Sequence, residues 1–274
     1  MTGGVSGSGF TLIELSIALL IIALIVGGVV VGREVLAVAS VRATIGQVEE
    51  IKTAVHAFRG KYGAIPGDLS RVDAASLGFF TLADGLGVAN GNGALDALEP
   101  HPTPRAFTGE VPVFWRHLSE AGFIDGSLGR SGNSEVIATT GNTAGTVTQV
   151  DQSLPRAKIG RQNHVAVYSE SGVTFLEINA VSRITAAGAY VVARPSLFPS
   201  EGYLVDLKLD DGVATTGSVV ARGRVGLLGA LNQEPDIATA PATNGCLSTA
   251  APVVGYAPSD ATGICALRFV LGQP

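Results

Sequence analysis

The alternation of apolar and polar positions is most regular at the N-terminal end of the chain. From Phe10 to Val31 there is no Lys, Arg, Asp, Asn or Pro, and a single ionisable residue, Glu14, interrupts the apolar run. At about 1.5 Å per residue such a run is long enough to cross a hydrocarbon core of about 30 Å. The pattern therefore predicts a membrane helix. Beyond Gly32 the helical period continues: Val35, Leu36, Val38, Val41, Ile45, Val48, Ile51, Val55 and Phe58 recur at three- and four-residue steps, with Arg42, Gln47, Glu49, Glu50 and Lys52 between them. One helix is expected from about Thr11 to Arg59, roughly 70 Å long, its first half bare and its second half packed on a head. Gly27, Gly28, Gly32 and Gly46 are its expected weak points, since each Gly costs up to about 1 kcal/mol relative to Ala. Gly60-Lys61-Tyr62-Gly63-Ala64-Ile65-Pro66-Gly67-Asp68 supplies the glycines and the proline that stop it.

Further along, residues 69–105 read as loop with one short helix. Within them Asn90-Gly91-Asn92-Gly93-Ala94-Leu95-Asp96 offers oxygen ligands between glycines, but its spacing departs from the helix-loop-helix calcium pattern, and Asn-Gly is a strong turn signal. Turns are the expectation. Residues 110–126 predict a short amphipathic helix with Phe114, Leu118 and Ala121 on one face beside Trp115, a C-terminal cap at Gly122, and a partly exposed His117. The Gly-, Thr- and Ser-rich residues 127–162 predict a variable surface loop. His164–Ser169 and Val173–Asn179 predict a hairpin about Glu170-Ser171-Gly172, with its register open. A helix is expected from Pro199 to Asp210, with Ser200 as cap, Glu201 in the first turn, and Leu204, Val205, Leu207 and Leu209 as apolar positions. Late strands are expected at Val219–Ala221 and Ile264–Leu271, the second burying Cys265, Leu267, Phe269 and Leu271 on one face.

Glu14 is anomalous in this pattern, because a carboxylate in hydrocarbon costs on the order of 3 kcal/mol on insertion scales. Cleavage after Gly9 would create an amine on Phe10, with a pKa of about 8, at nearly the depth of Glu14. Gly9-Phe10-Thr11-Leu12-Ile13-Glu14 and the apolar run after it resemble the cleavage and methylation signature of type IV prepilins and of the related type II secretion pseudopilins. Tyr62-Gly63-Ala64-Ile65-Pro66-Gly67-Asp68 is similar to a segment common after pilin-type helices. Asp206-x-Lys208-x-Asp210-Asp211-Gly212 resembles a segment of larger prepilin-like proteins; its carboxylates are read as solvated helix-end groups rather than cation ligands. The resemblance implies that a membrane-embedded prepilin peptidase cuts after Gly9 and that Phe10 is N-methylated. It also implies that Glu14 guides assembly with other pilin subunits. The competing reading is a plain signal anchor whose Glu14 reaches back to the interface. Met1–Gly9 carries no Lys or Arg, whereas Arg33, Arg42 and Lys52 follow the run, so the positive-inside rule alone would orient the helix backwards. A basic leader upstream of Met1 would remove that conflict.

Composition narrows the rest. Charged residues are 15% of the chain and glycines number 36, which favours turns and short strands over charged surface helices. With a net charge of −5 and no basic cluster, nucleic-acid binding has no electrostatic footprint. Cys246 and Cys265 are the two cysteines. In an exported chain they read as one disulfide closing a loop of about twenty residues, worth roughly 3 kcal/mol; free thiols or half of a metal site are the alternatives. No Gly-x-Ser-x-Gly, phosphate-binding loop or His-Glu-x-x-His occurs, and His56, His101, His117 and His164 are scattered. No catalytic residue, metal or cofactor is therefore expected, and the chain is expected not to be an enzyme.

The resemblance implies an α+β fold, with which the periodicities agree: a long N-terminal helix whose second half packs on an antiparallel sheet, with helical insertions and a C-terminal disulfide. Residues 1–9 form a leader, 10–32 a transmembrane and filament-core helix, 33–62 its amphipathic continuation and 63–274 a globular head. The expected function is that of a structural filament subunit, held in the inner membrane before assembly and in a periplasmic or surface filament afterwards. A secretion pseudopilin is the alternative within the family, and a membrane-anchored periplasmic binding module the alternative outside it.

Overall fold

A computed structural model describes residues 11–82, 89–97, 106–129, 150–185, 190–192, 197–223, 246–248, 255–257 and 265–272. Helix α1 spans Leu12–Tyr62. None of the four glycines expected as weak points interrupts it, and it ends three residues beyond the expected stop, where the Gly63 N–H reaches the Arg59 carbonyl at 2.8 Å. Two compact units divide the chain, residues 1–40 and residues 41–274.

In the first unit every Leu, Ile and Val from Leu12 to Val38 is exposed. This helix is long and apolar enough to cross a membrane or to act as a signal sequence.

In the second unit α1 has the opposite character. Thr44 is buried and Ile45 only partly so, and of the stripe that the sequence pattern predicts Val41, Val48, Ile51, Val55 and Phe58 are buried. They share one core with Phe114, Trp115 and Leu118 of α3 (Glu110–Glu120) and with Val165, Val167, Leu176, Ile178, Leu267 and Phe269 of the sheet. Gln47 ties this half of the helix to the chain beside it: its side-chain amide donates to the Arg156 carbonyl at 2.8 Å and accepts from the Lys158 N–H at 2.9 Å.

The sheet is antiparallel, in the order β1-β2-β8-β5, from His164–Glu170, Val173–Asn179, Cys265–Gly272 and Val219–Gly223. The hairpin turn is Ser171-Gly172, both at positive φ, so Glu170 pairs with Val173 and His164 with Asn179. This register puts Val165, Val167, Leu176, Ile178, Leu267, Phe269, Val219 and Ala221 on one apolar face. On the other face Glu177 lies opposite Arg268, Tyr168 Oη donates to Glu177 at 3.0 Å, and the Arg268 guanidinium lies 4.3 Å from the Phe175 ring centroid. Two small ribbons that the sequence did not reveal add β3 (Val181–Ile184) with β4 (Tyr190–Val192), and β6 (Leu247–Ser248) with β7 (Gly255–Tyr256).

The helices correct several expectations. The short helix within residues 69–105 is α2, Arg71–Ser76, whose N-cap Ser70 accepts the Asp73 N–H at 3.2 Å. Helix α3 ends with Gly122, as expected, in a Schellman turn in which the Phe123 N–H bonds the Leu118 carbonyl at 3.0 Å. His117 on this helix is buried rather than partly exposed, because α3 is enclosed along most of its length. Helix α4 runs Pro199–Leu209 with Phe198, not Ser200, at the N-cap; Glu201 Oε2 accepts the Phe198 N–H at 2.9 Å. Its buried residues are Pro199, Glu201, Gly202, Val205 and Asp206. Leu204 and Leu207, two of the expected apolar positions, are exposed beside Tyr203. Within residues 127–162, the described part of the expected surface loop is about half exposed, and Val150, Leu154, Ala157 and Ile159 anchor it by burial.

Candidate functional site

At the start of α1, Thr11 and Glu14 bond each other reciprocally. The Thr11 N–H and Oγ1–H donate to Glu14 Oε2 at 2.9 and 2.7 Å, and the Glu14 N–H donates back to Thr11 Oγ1 at 3.3 Å. This is a capping box, in which Thr-x-x-Glu satisfies amides that the first helical turn leaves unpaired. Thr11-Leu12-Ile13-Glu14 is the sequence signal for it, a reading absent when Glu14 is considered as an assembly group alone. One carboxylate oxygen is thereby engaged at the helix end, and Oε1 has no partner among the described residues. Gly9 and Phe10, the expected processing residues, lie outside the described residues.

At the far end of the sequence Cys246 and Cys265 form a disulfide with Cα atoms 4.9 Å apart, both residues fully buried. It ties the β6–β7 ribbon to the first residue of β8. Cys265 also exchanges backbone hydrogen bonds with Leu197, just before α4. The pilin-like architecture is thus present: a long apolar N-terminal helix, a second half packed on an antiparallel sheet, and a disulfide near the C-terminus.

The acidic motif on α4 is built into this region. Asp206 is buried, accepting from Tyr256 Oη at 2.8 Å and from the Gly212 N–H at 3.2 Å. Burial raises its pKa, and burial together with the donation of its hydroxyl to the Asp206 carboxylate raises that of Tyr256. Asp210 Oδ2 accepts the Ser218 and Val219 N–H groups at 2.5 and 3.1 Å, and a Cβ at Gly217 would collide with that carboxylate. Asp211 accepts from the Val213 N–H and from Thr216 Oγ1, both at 2.8 Å. Carboxylate oxygens of the three lie within 4.8 Å of one another, yet each clamps the loop into β5. The motif therefore acts in the fold, and solvated helix-end carboxylates do not describe Asp206.

A second set of carboxylates sits where α1, α3 and the loop of residues 89–97 meet. Asp68 and Glu110 are both fully buried. Asp68 accepts the Gly91 and Gly93 N–H groups at 2.8 and 2.6 Å. Glu110 accepts the N–H groups of Ala89 and, at 2.8 Å, Asp96. The Asn90 and Asn92 side-chain amides donate to Asp96 at 3.2 and 2.8 Å, which accounts for the two Asn-Gly steps as turns. Burial, with Asp68 and Asp96 nearby, pushes Glu110 up to about 8 against the opposing amides, and burial also raises Asp68.

Gly67 completes this knot. Its φ is +91°, and a Cβ there would lie 2.7 Å from the Glu110 carbonyl oxygen and 3.1 Å from the Phe114 nitrogen. Its N–H donates to His117 Nδ1 at 3.1 Å, so the ring proton sits on Nε2, which donates to the Phe80 carbonyl at 2.9 Å. Of the other histidines, His164 is buried with Nε2 2.8 Å from Asp151. His56 is exposed, and His101 lies outside the described residues. Compared with models of protein families, with curated proteins and with solved structures, the chain gives no match.

Proposed function

We propose that this chain is a structural filament subunit of the type IV pilin kind, cut after Gly9 by a prepilin peptidase, N-methylated at Phe10, and assembled through its apolar helix. The observation that carries the reading is the change of character along α1. Residues 12–38 expose every large apolar side chain, while the same helix from Val41 onward supplies the core stripe of a disulfide-closed α+β head. An exposed apolar helix of this length needs lipid or other helices to cover it. A membrane covers it before assembly and neighbouring subunits cover it in a filament. Glu14 Oε1, left open by the capping box, is the group available to a partner's ammonium.

N-terminal mass spectrometry of membrane-extracted protein tests this. The expected result is a chain beginning at Phe10 with one added methyl group; an intact Met1 terminus in cells that possess the peptidase would overturn it. The buried C-terminal disulfide favours a pilus subunit over a secretion pseudopilin. Recovery of the chain in sheared surface filaments, rather than its retention in the envelope, distinguishes the two.

A further inference from the structure

Asp68 and Glu110 present an unusual juxtaposition, independent of the filament reading. Two fully buried carboxylates approach one loop from different elements, and that loop supplies backbone amides to both. The loop brings a third carboxylate, Asp96, whose own carbonyl accepts the Glu110 N–H at 3.0 Å. Among the described residues no basic side chain pairs with Asp68, Asp96 or Glu110. The groups facing the site can be named element by element. From α3 there is neutral His117, reached through Gly67. From β1 and β2 there are the Ser169 and Thr174 hydroxyls, Ser169 accepting the Leu95 N–H at 2.8 Å. From α1, His56 and Arg59 line a narrow cleft with Gly93 and Thr174. Leu95 anchors the loop in the main core, and Ala89 packs against the smaller cluster of Leu82 and Val113.

We propose that Asp68, Glu110 and residues 89–97 form an acid-tightened clasp: a resident proton removes one of the two buried charges and so stabilises the closed loop even though it weakens one amide contact, and loss of that proton loosens the loop from α3. Two carboxylates buried against one loop, with no basic partner among the described residues, disfavour double ionisation, chiefly through burial and in part through each other's charge. Opening the loop to water relieves them. The sign follows from linkage. Glu110 has its pKa raised from 4.5 to about 8 in the closed form, so the closed form binds more protons and is progressively lost as pH rises through that interval. Above about 8 both forms are ionised and the dependence ends. His117, whose pKa is lowered by burial from 6.5, acts in the opposite sense and only below that value. The interval from 6.5 to about 8 therefore reads the carboxylates by themselves.

The test is hydrogen–deuterium exchange on the full chain in detergent, following the peptide that spans residues 89–97 and correcting for intrinsic exchange. Protection should fall roughly tenfold per pH unit between about 6.5 and 8 and then level off, while the β1–β2 hairpin keeps its protection. In Glu110→Gln the fall should disappear. Should that variant fail to fold, infrared difference spectra of the unaltered protein should show a carboxylic acid band at pH 7 that is lost by pH 9. Unchanged protection across the interval, an equal fall in the hairpin, the same fall in Glu110→Gln, or absence of the acid band would each overturn the clasp. Restoration of protection by calcium chloride would also overturn it, by making a metal ion rather than a proton the partner of the pair.

Discussion

The His117 imidazole lies parallel to the Phe58 ring, with 6.2 Å between centroids and 8° between planes. Phe58 comes from the buried half of α1 and His117 from α3. The stack therefore joins the helix to the knot that contains Gly67, and both imidazole nitrogens already have partners.

A first prediction concerns acid sensitivity. Burial lowers the His117 pKa from 6.5, so the unfolded chain binds the extra proton first as pH falls. Stability from this residue is complete above about pH 6.5 and declines below it by at most about 1.4 kcal/mol per pH unit. His117→Phe keeps the stacking but leaves the Gly67 N–H and Phe80 carbonyl unpaired, at about 1–3 kcal/mol each. Urea titrations at pH 5 and 7 should show a weaker variant whose acid dependence is reduced.

Gly67→Ala should be more damaging. It combines a positive φ with a Cβ pressed on the backbone of α3, together about 3 kcal/mol or more. Denaturant unfolding of the full chain in detergent measures this, and Gly60→Ala, which meets open space at a helical position, is the control expected to keep full stability.

The disulfide prediction is separable from these. Cys246→Ser should lower stability by roughly 3 kcal/mol in the chain-entropy account. Reducing agent should have the same effect on the parent and none on the variant, as followed by thermal unfolding.

Glu14 allows charge and cap to be distinguished. Glu14→Gln keeps an oxygen for the Thr11 donors while removing the charge, and Glu14→Ala removes both. If pairing with a neighbour's amine directs assembly, both variants should be inserted and cleaved after Gly9 yet be missing from sheared filament fractions. Normal incorporation of the Gln variant would reduce Glu14 to a helix cap.

Periodicity was enough to find the elements with long local repeats. The α1 stripe, the β1–β2 hairpin and the buried alternation of β8 all follow from side-chain spacing, because each faces a single core. What spacing could not supply was partnership across the chain. His117 reads as partly exposed from its helix alone, but Gly67 and Phe80, 50 and 37 positions away, enclose it. Leu204 and Leu207 supply apolar spacing, but α4 turns Gly202 and Asp206 inward instead, since Tyr256 needs the close approach of one and the carboxylate of the other. The ribbons β3–β4 and β6–β7 are too short to carry a period. At Glu14 the local signal was present as Thr-x-x-Glu, and attention to the carboxylate's cost in hydrocarbon concealed its capping role.

The Gly67 knot has a consequence for how such a chain can diverge. Gly67 admits no side chain while the Glu110 backbone lies against it, Asp68 and Glu110 depend on the same loop, and His117 needs the Gly67 amide. These four positions cannot drift one at a time. Lineages of this head should therefore inherit or abandon them together, leaving a covarying quartet recognisable even where the sequence between its members has changed beyond alignment.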